Sequence, residues 1–181
     1  MAPDERRRAG AWLRGRLTPR RLTVLAGELL LLVVILLGVE RFMTRDAARG
    51  PAPAIAATLT DGRSFSLAAL QGRPSLIYFW AEWCPLCAAS QGAMDGILAD
   101  HPGVTVALHS GPASEVAAYL EEAGLDWPAI ADATGVLAGR YGVRGVPAVF
   151  VLDGDGHIRF VTRGYTSAWG LRLRLWLAGW G

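Results

Sequence analysis

Phe79-Trp80-Ala81-Glu82-Trp83-Cys84-Pro85-Leu86-Cys87 contains both cysteines of the 181-residue chain, and the pattern changes on either side of it. Upstream, Ser75-Leu76-Ile77-Tyr78-Phe79-Trp80 is a continuous apolar run bounded by turn residues, as expected of a buried central strand. Downstream, Pro85 to about Asp100 reads as a helix with Cys87, Met94 and Leu98 on one face. Pro85 suits the first helical position, where its missing N–H would have been unpaired anyway. The spacing brings the two sulfurs together across one helical turn. Free N–H groups and partial positive charge at the helix start favour thiolate at Cys84. Cys84 is then the attacking nucleophile. Cys87, a turn deeper on the core-facing stripe, resolves the mixed disulfide.

Other uses of two cysteines fit less well. A structural disulfide closing so short a loop would stabilise little. A metal pair would need help from His101, His109 or His157, which are scattered over loops and strand ends. A copper carrier would show more Cys, Met or His close by, and only Met94 is near in sequence. Two cysteines also exclude a disulfide-stapled mini-protein and a four-Cys zinc site. A thiol–disulfide redox pair is the favoured reading.

Working outward, Thr58-Leu59-Thr60 and Ser64-Phe65-Ser66 flank Asp61-Gly62 and predict a hairpin. Thr105–Leu108 reads as a strand, and 114–123 as a helix with Ser114 near its cap. A short strand at Ala129-Ile130 and a short helix over 134–141 come next. Two further strands, 148–152 and 158–161, enclose Asp153-Gly154-Asp155-Gly156. That loop lacks the remaining ligands of a calcium site and reads as a hairpin turn. Leu171 to Leu177 alternates like a strand, yet Trp169, Leu173, Trp176 and Trp180 keep helical spacing, which favours a closing helix. Alternating strands and helices indicate an α/β sheet with parallel strands.

The amino-terminal part differs in character. Hydrophobic residues make up 52% of the chain and charged residues 19%, which excludes intrinsic disorder. All 18 basic residues are Arg. Residues 1–49 hold ten Arg against five acids, whereas residues 50–181 hold eight Arg against eleven acids. The larger part is mildly acidic, so no nucleic-acid partner is expected. Seven Arg precede an apolar run from Leu22 to Val39, interrupted once by Glu28. At 18 residues the run lies near the lower limit for crossing a bilayer. Arg before it places the amino terminus in the cytoplasm and the downstream residues on the exported side. Glu40-Arg41 closes the run, and the nearest small-residue cleavage pattern, Ala52-Pro53-Ala54, is over ten residues away, so a retained anchor is favoured over a cleaved signal. The expected organisation is a cytoplasmic Arg-rich tail (1–21), a transmembrane anchor (22–42), a linker (43–56) and a catalytic domain (57–181).

The stretch 79–87 resembles the active site of thioredoxin-fold proteins, and Gly145-Val146-Pro147 resembles that fold's cis-proline loop. With the anchor, the chain resembles the membrane-tethered TlpA/ResA-like branch. More narrowly it is similar to the ScsD-like disulfide oxidoreductases of suppressor-of-copper-sensitivity systems, a match to which Thr105–Gly111 and Gly164-Tyr165-Thr166-Ser167 contribute. The resemblance implies an α/β thioredoxin-like fold, a central mixed sheet flanked by helices. It implies catalysis by Cys84 and Cys87, with Trp83, Pro85, Leu86, Val146 and Pro147 supporting the site and binding substrate. It also implies a cis Val146–Pro147 bond, no cofactor and no metal. The implied partners are protein thiols and disulfides, a DsbD/ScsB-like membrane electron donor, and the inner membrane, with the domain in the periplasm. Two positions depart from the pattern. Thioredoxin's buried proton-carrying Asp is replaced by Tyr78, and the Glu of cytochrome-maturation reductases by Ser90. Cytochrome c maturation and copper delivery are the alternative functions.

Overall fold

Every residue of Ser75–Trp80 is buried, and the strand they form lies inside the sheet with a neighbour on each side. The structure is a computed structural model that describes residues 19–43 and 45–180. Most of the tail expected over 1–21 lies outside the described residues. In chain order the elements are helix α1 (Pro19–Met43), strands β1 (Gly50–Pro51), β2 (Ala56–Thr58) and β3 (Ser64–Ser66), a 3-10 turn (Leu67–Leu70), and β4 (Ser75–Trp80). After these come α2 (Pro85–Asp100), β5 (Gly103–Leu108), α3 (Ala113–Glu122), β6 (Ala129–Asp132), α4 (Val136–Arg140), β7 (Ala148–Leu152), β8 (His157–Arg163) and α5 (Ala168–Ala178). The chain divides after Phe42 into two compact units. In the first, α1 exposes Leu22–Val39, 18 residues of mean hydropathy 2.7, long and apolar enough to cross a membrane.

The second unit is built on a six-stranded sheet of order β1-β8-β7-β4-β5-β6. Strand β4 runs parallel to β5, and β5 to β6, because each connection passes through a helix. Strands β7 and β8 are joined by the tight turn at Asp153–Gly156 and are antiparallel, and β7 runs antiparallel to β4. The sheet is mixed, as the resemblance implied, and not wholly parallel. In the turn, the Asp153 carboxylate accepts the N–H groups of Asp155 (3.0 Å) and His157 (2.8 Å). Its oxygens serve the hairpin, in line with the reading of that loop as a turn.

Alternation along β4 sends Leu76, Tyr78 and Trp80 to one apolar cluster and Ile77 and Phe79 to another. Met94 and Ile97 of α2, Val116 and Leu120 of α3, and Leu171 and Leu175 of α5 complete the first. Ile55, Leu59, Ala138 and Tyr141 contribute to the second, where Phe79, Tyr141 and Phe150 form a ring triangle with centroids 5.1–5.6 Å apart. Each such side chain contributes roughly 1.5–3 kcal/mol by leaving water.

Several details differ from the sequence reading. The hairpin ladder pairs Ala56–Thr58, not 58–60, with Ser64–Ser66. Leu59 instead closes the loop on the Arg63 carbonyl (2.8 Å), and the Thr60 N–H is taken by Ala129 of β6 (2.8 Å). Helix α3 starts at Ala113 behind Pro112, so Ser114 lies within its first turn and does not cap it. Helix α5 does form and is capped by Ser167, whose side chain accepts the Gly170 N–H (3.2 Å). Its buried face is Leu171, Leu175 and Ala178, while the tryptophans point outward. The segment 43–56, read as a tether, lies against the domain from Ala47 onward. Ala47 and Ile55 are buried, β1 pairs with β8, and the Tyr141 hydroxyl donates to the Pro53 carbonyl (2.6 Å).

Candidate active site

Strand β4 ends at Trp80, and the chain turns through Ala81-Glu82-Trp83, held by a Cys84 N–H to Ala81 carbonyl bond (3.3 Å). Cys84 occupies the N-cap of α2 with extended backbone (φ −98°), and Pro85 takes the first helical position. A cap side chain normally offers oxygen to the orphan donors of the first turn. Here the cap is sulfur, and Cys84 Sγ accepts the Cys87 N–H at 3.3 Å. The same donor would serve a thiolate better than a thiol.

The opposite wall comes from the loop before β7. The Val146–Pro147 peptide bond is cis, as the resemblance implied. The Cys84 thiol donates to the Val146 carbonyl at 3.6 Å, across 62 positions of sequence. Cys84 is 6% exposed and Cys87 2%, so an incoming disulfide meets Cys84 first. Burial, with the Cys84 sulfur alongside, pushes the Cys87 thiol up from an ordinary 9.0 to about 12. Trp83 and Leu86, on either side of Cys84 in the chain, are exposed apolar side chains. Glu82 lies at the rim, its N–H bound by the Ser110 hydroxyl (3.2 Å).

The structure brings together Trp83, Cys84, Pro85, Leu86, Cys87 and Val146-Pro147. Sequence reasoning missed the loop after β5. The Trp83 indole N–H donates to the His109 carbonyl (3.1 Å), and His109 is the one described non-glycine residue with positive φ (+49°). Its ring Nδ1–H donates to the Ala133 carbonyl (3.0 Å), which fixes that conformation. The sequence signal was His109-Ser110-Gly111, visible only as part of a resemblance. Ser90, at the position of the absent Glu, is buried and returns its hydroxyl to the Leu86 carbonyl (2.8 Å). Among the described residues, the one group of His, Cys, Asp and Glu close enough to hold an ion is Asp153, Asp155 and His157, and it includes neither cysteine.

Residues 48–161, more than half of the chain, match the AhpC/TSA family. The chain belongs to that family. Within it, the fold is the thioredoxin-like α/β arrangement, a mixed sheet flanked by helices. A thioredoxin-like protein of Haemophilus influenzae is 36% identical over 67% of this chain and 74% of its own length. The thiol:disulfide interchange protein DsbE of Escherichia coli is 32% identical over 59% of this chain. This chain spans 55% of DsbE, little more than half. A secreted Mycobacterium tuberculosis disulfide oxidoreductase, described as homologous to Escherichia coli DsbE, superposes with a TM-score of 0.60. It is 29% identical, and the superposition covers 68% of this chain and 95% of that one. The enzyme class is thiol:disulfide oxidoreductase.

Proposed function

We propose that the protein exchanges disulfides with protein substrates through Cys84 and Cys87, on the outer side of a membrane that holds α1. The observation that carries this reading is the Cys84 sulfur as helix cap, facing the Val146 carbonyl with Cys87 directly behind it. In the reducing direction, Cys84 thiolate attacks one sulfur of a substrate disulfide. The substrate S–S bond breaks, and its first sulfur leaves as thiolate and takes a proton. Cys87 gives up its own proton and attacks Cys84 Sγ, releasing the second substrate sulfur. Two electrons have passed to the substrate, and Cys84–Cys87 is left as a disulfide. A membrane dithiol donor of the DsbD/ScsB-like kind returns the pair to the reduced state. Trp83, Leu86 and the Val146-Pro147 loop supply the surface on which the substrate segment rests.

Ser90 favours the ScsD-like branch, with a role in copper-stress tolerance, over cytochrome c maturation. It offers a short hydroxyl already spent on the helix, where those reductases place a carboxylate. The run Leu22–Val39 supports an inner-membrane anchor, with the domain in the periplasm.

The test is trapping. Cys87→Ser in the full chain, expressed in cells, accumulates mixed disulfides at Cys84 that collapse on reduction, and Cys84→Ser accumulates none. Stoichiometric copper bound at sub-nanomolar affinity, with no mixed disulfide and no disulfide turnover, would overturn the redox reading in favour of metal delivery.

A further inference from the structure

Tyr78 projects from β4 into the cluster beneath the cysteine pair, 1% exposed, with its ring edge-on to Trp127 (5.8 Å). Its hydroxyl is buried and has no hydrogen-bond partner among the described residues. A phenylalanine would keep the ring packing and avoid the desolvation cost of that oxygen. The hydroxyl therefore needs another reason to be there.

Its neighbour is Cys87. Cys87 is buried in the same cluster, and each group acts on the other's ionisation, the phenol favouring the ionised sulfur. Burial, first of all, holds the phenol well above its ordinary range, so Tyr78 stays protonated and keeps its O–H to donate. The pair has few other ionisable neighbours. Cys84 lies at the same helix start, and Tyr119 comes from α3. Asp95 of α2 is one ring further out and takes the Trp127 indole N–H (3.0 Å). On α5, Arg172 binds Asp100 and Arg174 donates to the Gly170 carbonyl. Among the described residues, two groups favour the ionised Cys87 sulfur, the Ala81 backbone and the Tyr78 side chain, and the phenol is the one without a hydrogen bond of its own.

We propose that Tyr78 is the hydrogen-bond donor that stabilises Cys87 thiolate during the resolving step. This rests on the assignment of Cys84 as nucleophile and Cys87 as resolving thiol. Before that step, the Cys87 S–H proton passes to the substrate thiolate already released, or to water. The Tyr78 O–H then donates to the sulfur without transferring its proton. The thiolate attacks Cys84 Sγ, the Cys84–substrate S–S bond breaks, and the departing thiolate is protonated by water. Tyr78 acts where thioredoxin uses a carboxylate, but as a donor and not as a base.

The test separates the two chemical steps in the full chain in mild detergent. Reduced protein is mixed with oxidised glutathione, quenched with acid, and analysed by mass for the Cys84–glutathione adduct and the internal disulfide. Tyr78→Phe is expected to form the adduct at the wild-type rate but resolve it about ten-fold more slowly at pH 7. Its resolution rate reaches half-maximum about one pH unit higher. Replacing Tyr78 alone with a ring-fluorinated tyrosine, a stronger donor, speeds resolution and guards against a folding defect in the first variant. Unchanged resolution rates and pH midpoints in both variants would overturn the proposal. If wild-type protein forms no adduct at Cys84, or resolves it without Cys87, the parent assignment fails instead.

Discussion

Leu86 sits between the cysteines at the exposed start of α2, offering neither a donor nor a charge to the neighbouring sulfur. A strongly oxidising pair owes its potential to extra stabilisation of the reduced, thiolate form. The helix start pushes in that direction and Leu86 adds nothing to it, which places the expected potential at roughly −150 to −270 mV. Leu86→His adds a donor beside Cys84 and should move the potential to the oxidising side by about 30 mV. That shift corresponds to ~1.4 kcal/mol, the scale of one added hydrogen bond. Equilibration with glutathione buffers and thiol counting reads it directly, and a shift to more negative potential would show the argument to have the wrong sign. At this scale Cys84, Pro85 and Cys87 were legible, because their chemistry lies within one helical turn of sequence. The Val146 carbonyl, the His109 carbonyl and the Tyr78 hydroxyl were not. Their roles depend on contacts that only the closed sheet makes.

Helix α5 shows how far periodicity reaches at the scale of an element. Helical spacing told helix from strand, but the Trp stripe was only one of two apolar stripes on it. Leu171, Leu175 and Ala178 are the ones that meet the sheet, and Trp169 and Trp180 remain 83% and 76% exposed. Leu175→Ala should therefore cost about 2–5 kcal/mol. Trp169→Ala should stay within about 0.5 kcal/mol, the range of a surface change. Urea unfolding of the full chain in mild detergent checks both. The segment after α1 makes a second case. Gly142 has φ +64°, and a Cβ there would strike the Asp46 carbonyl. Gly142→Ala should cost about 1–3 kcal/mol and expose residues 46–56 to proteolysis. Small residues and prolines read as a flexible tether because each carries little apolar area. In place, they are held by backbone bonds from Ala48 to Tyr141 (3.0 Å) and from Ala52 to Gly156 (3.0 Å).

For the whole molecule, the buried Cys87 thiol couples redox state to pH stability. The fold keeps this thiol protonated, so the reduced native state binds that proton more tightly than the unfolded chain does. The stability this adds is complete below about pH 9 and is lost as pH rises toward about 12. Tyr78 and Tyr141, whose phenols burial also pushes up, lose their share only above pH 10, in either redox state. The oxidised protein has no thiol proton to lose. The gap between reduced and oxidised unfolding midpoints should therefore move against the reduced form between pH 8 and pH 10.5, and a constant gap would contradict the burial of Cys87. By itself, the sequence determined the strand–Cys–helix unit, the alternation of elements and the apolar run near the amino terminus. These arise from local periodicity and from residues that constrain their own backbone. Only the tertiary structure decided strand order and direction, the packed course of residues 47–56, the buried face of α5, and the carbonyls and hydroxyl around the cysteines. Each of those depends on which distant surfaces exclude water together, and no local pattern encodes that choice.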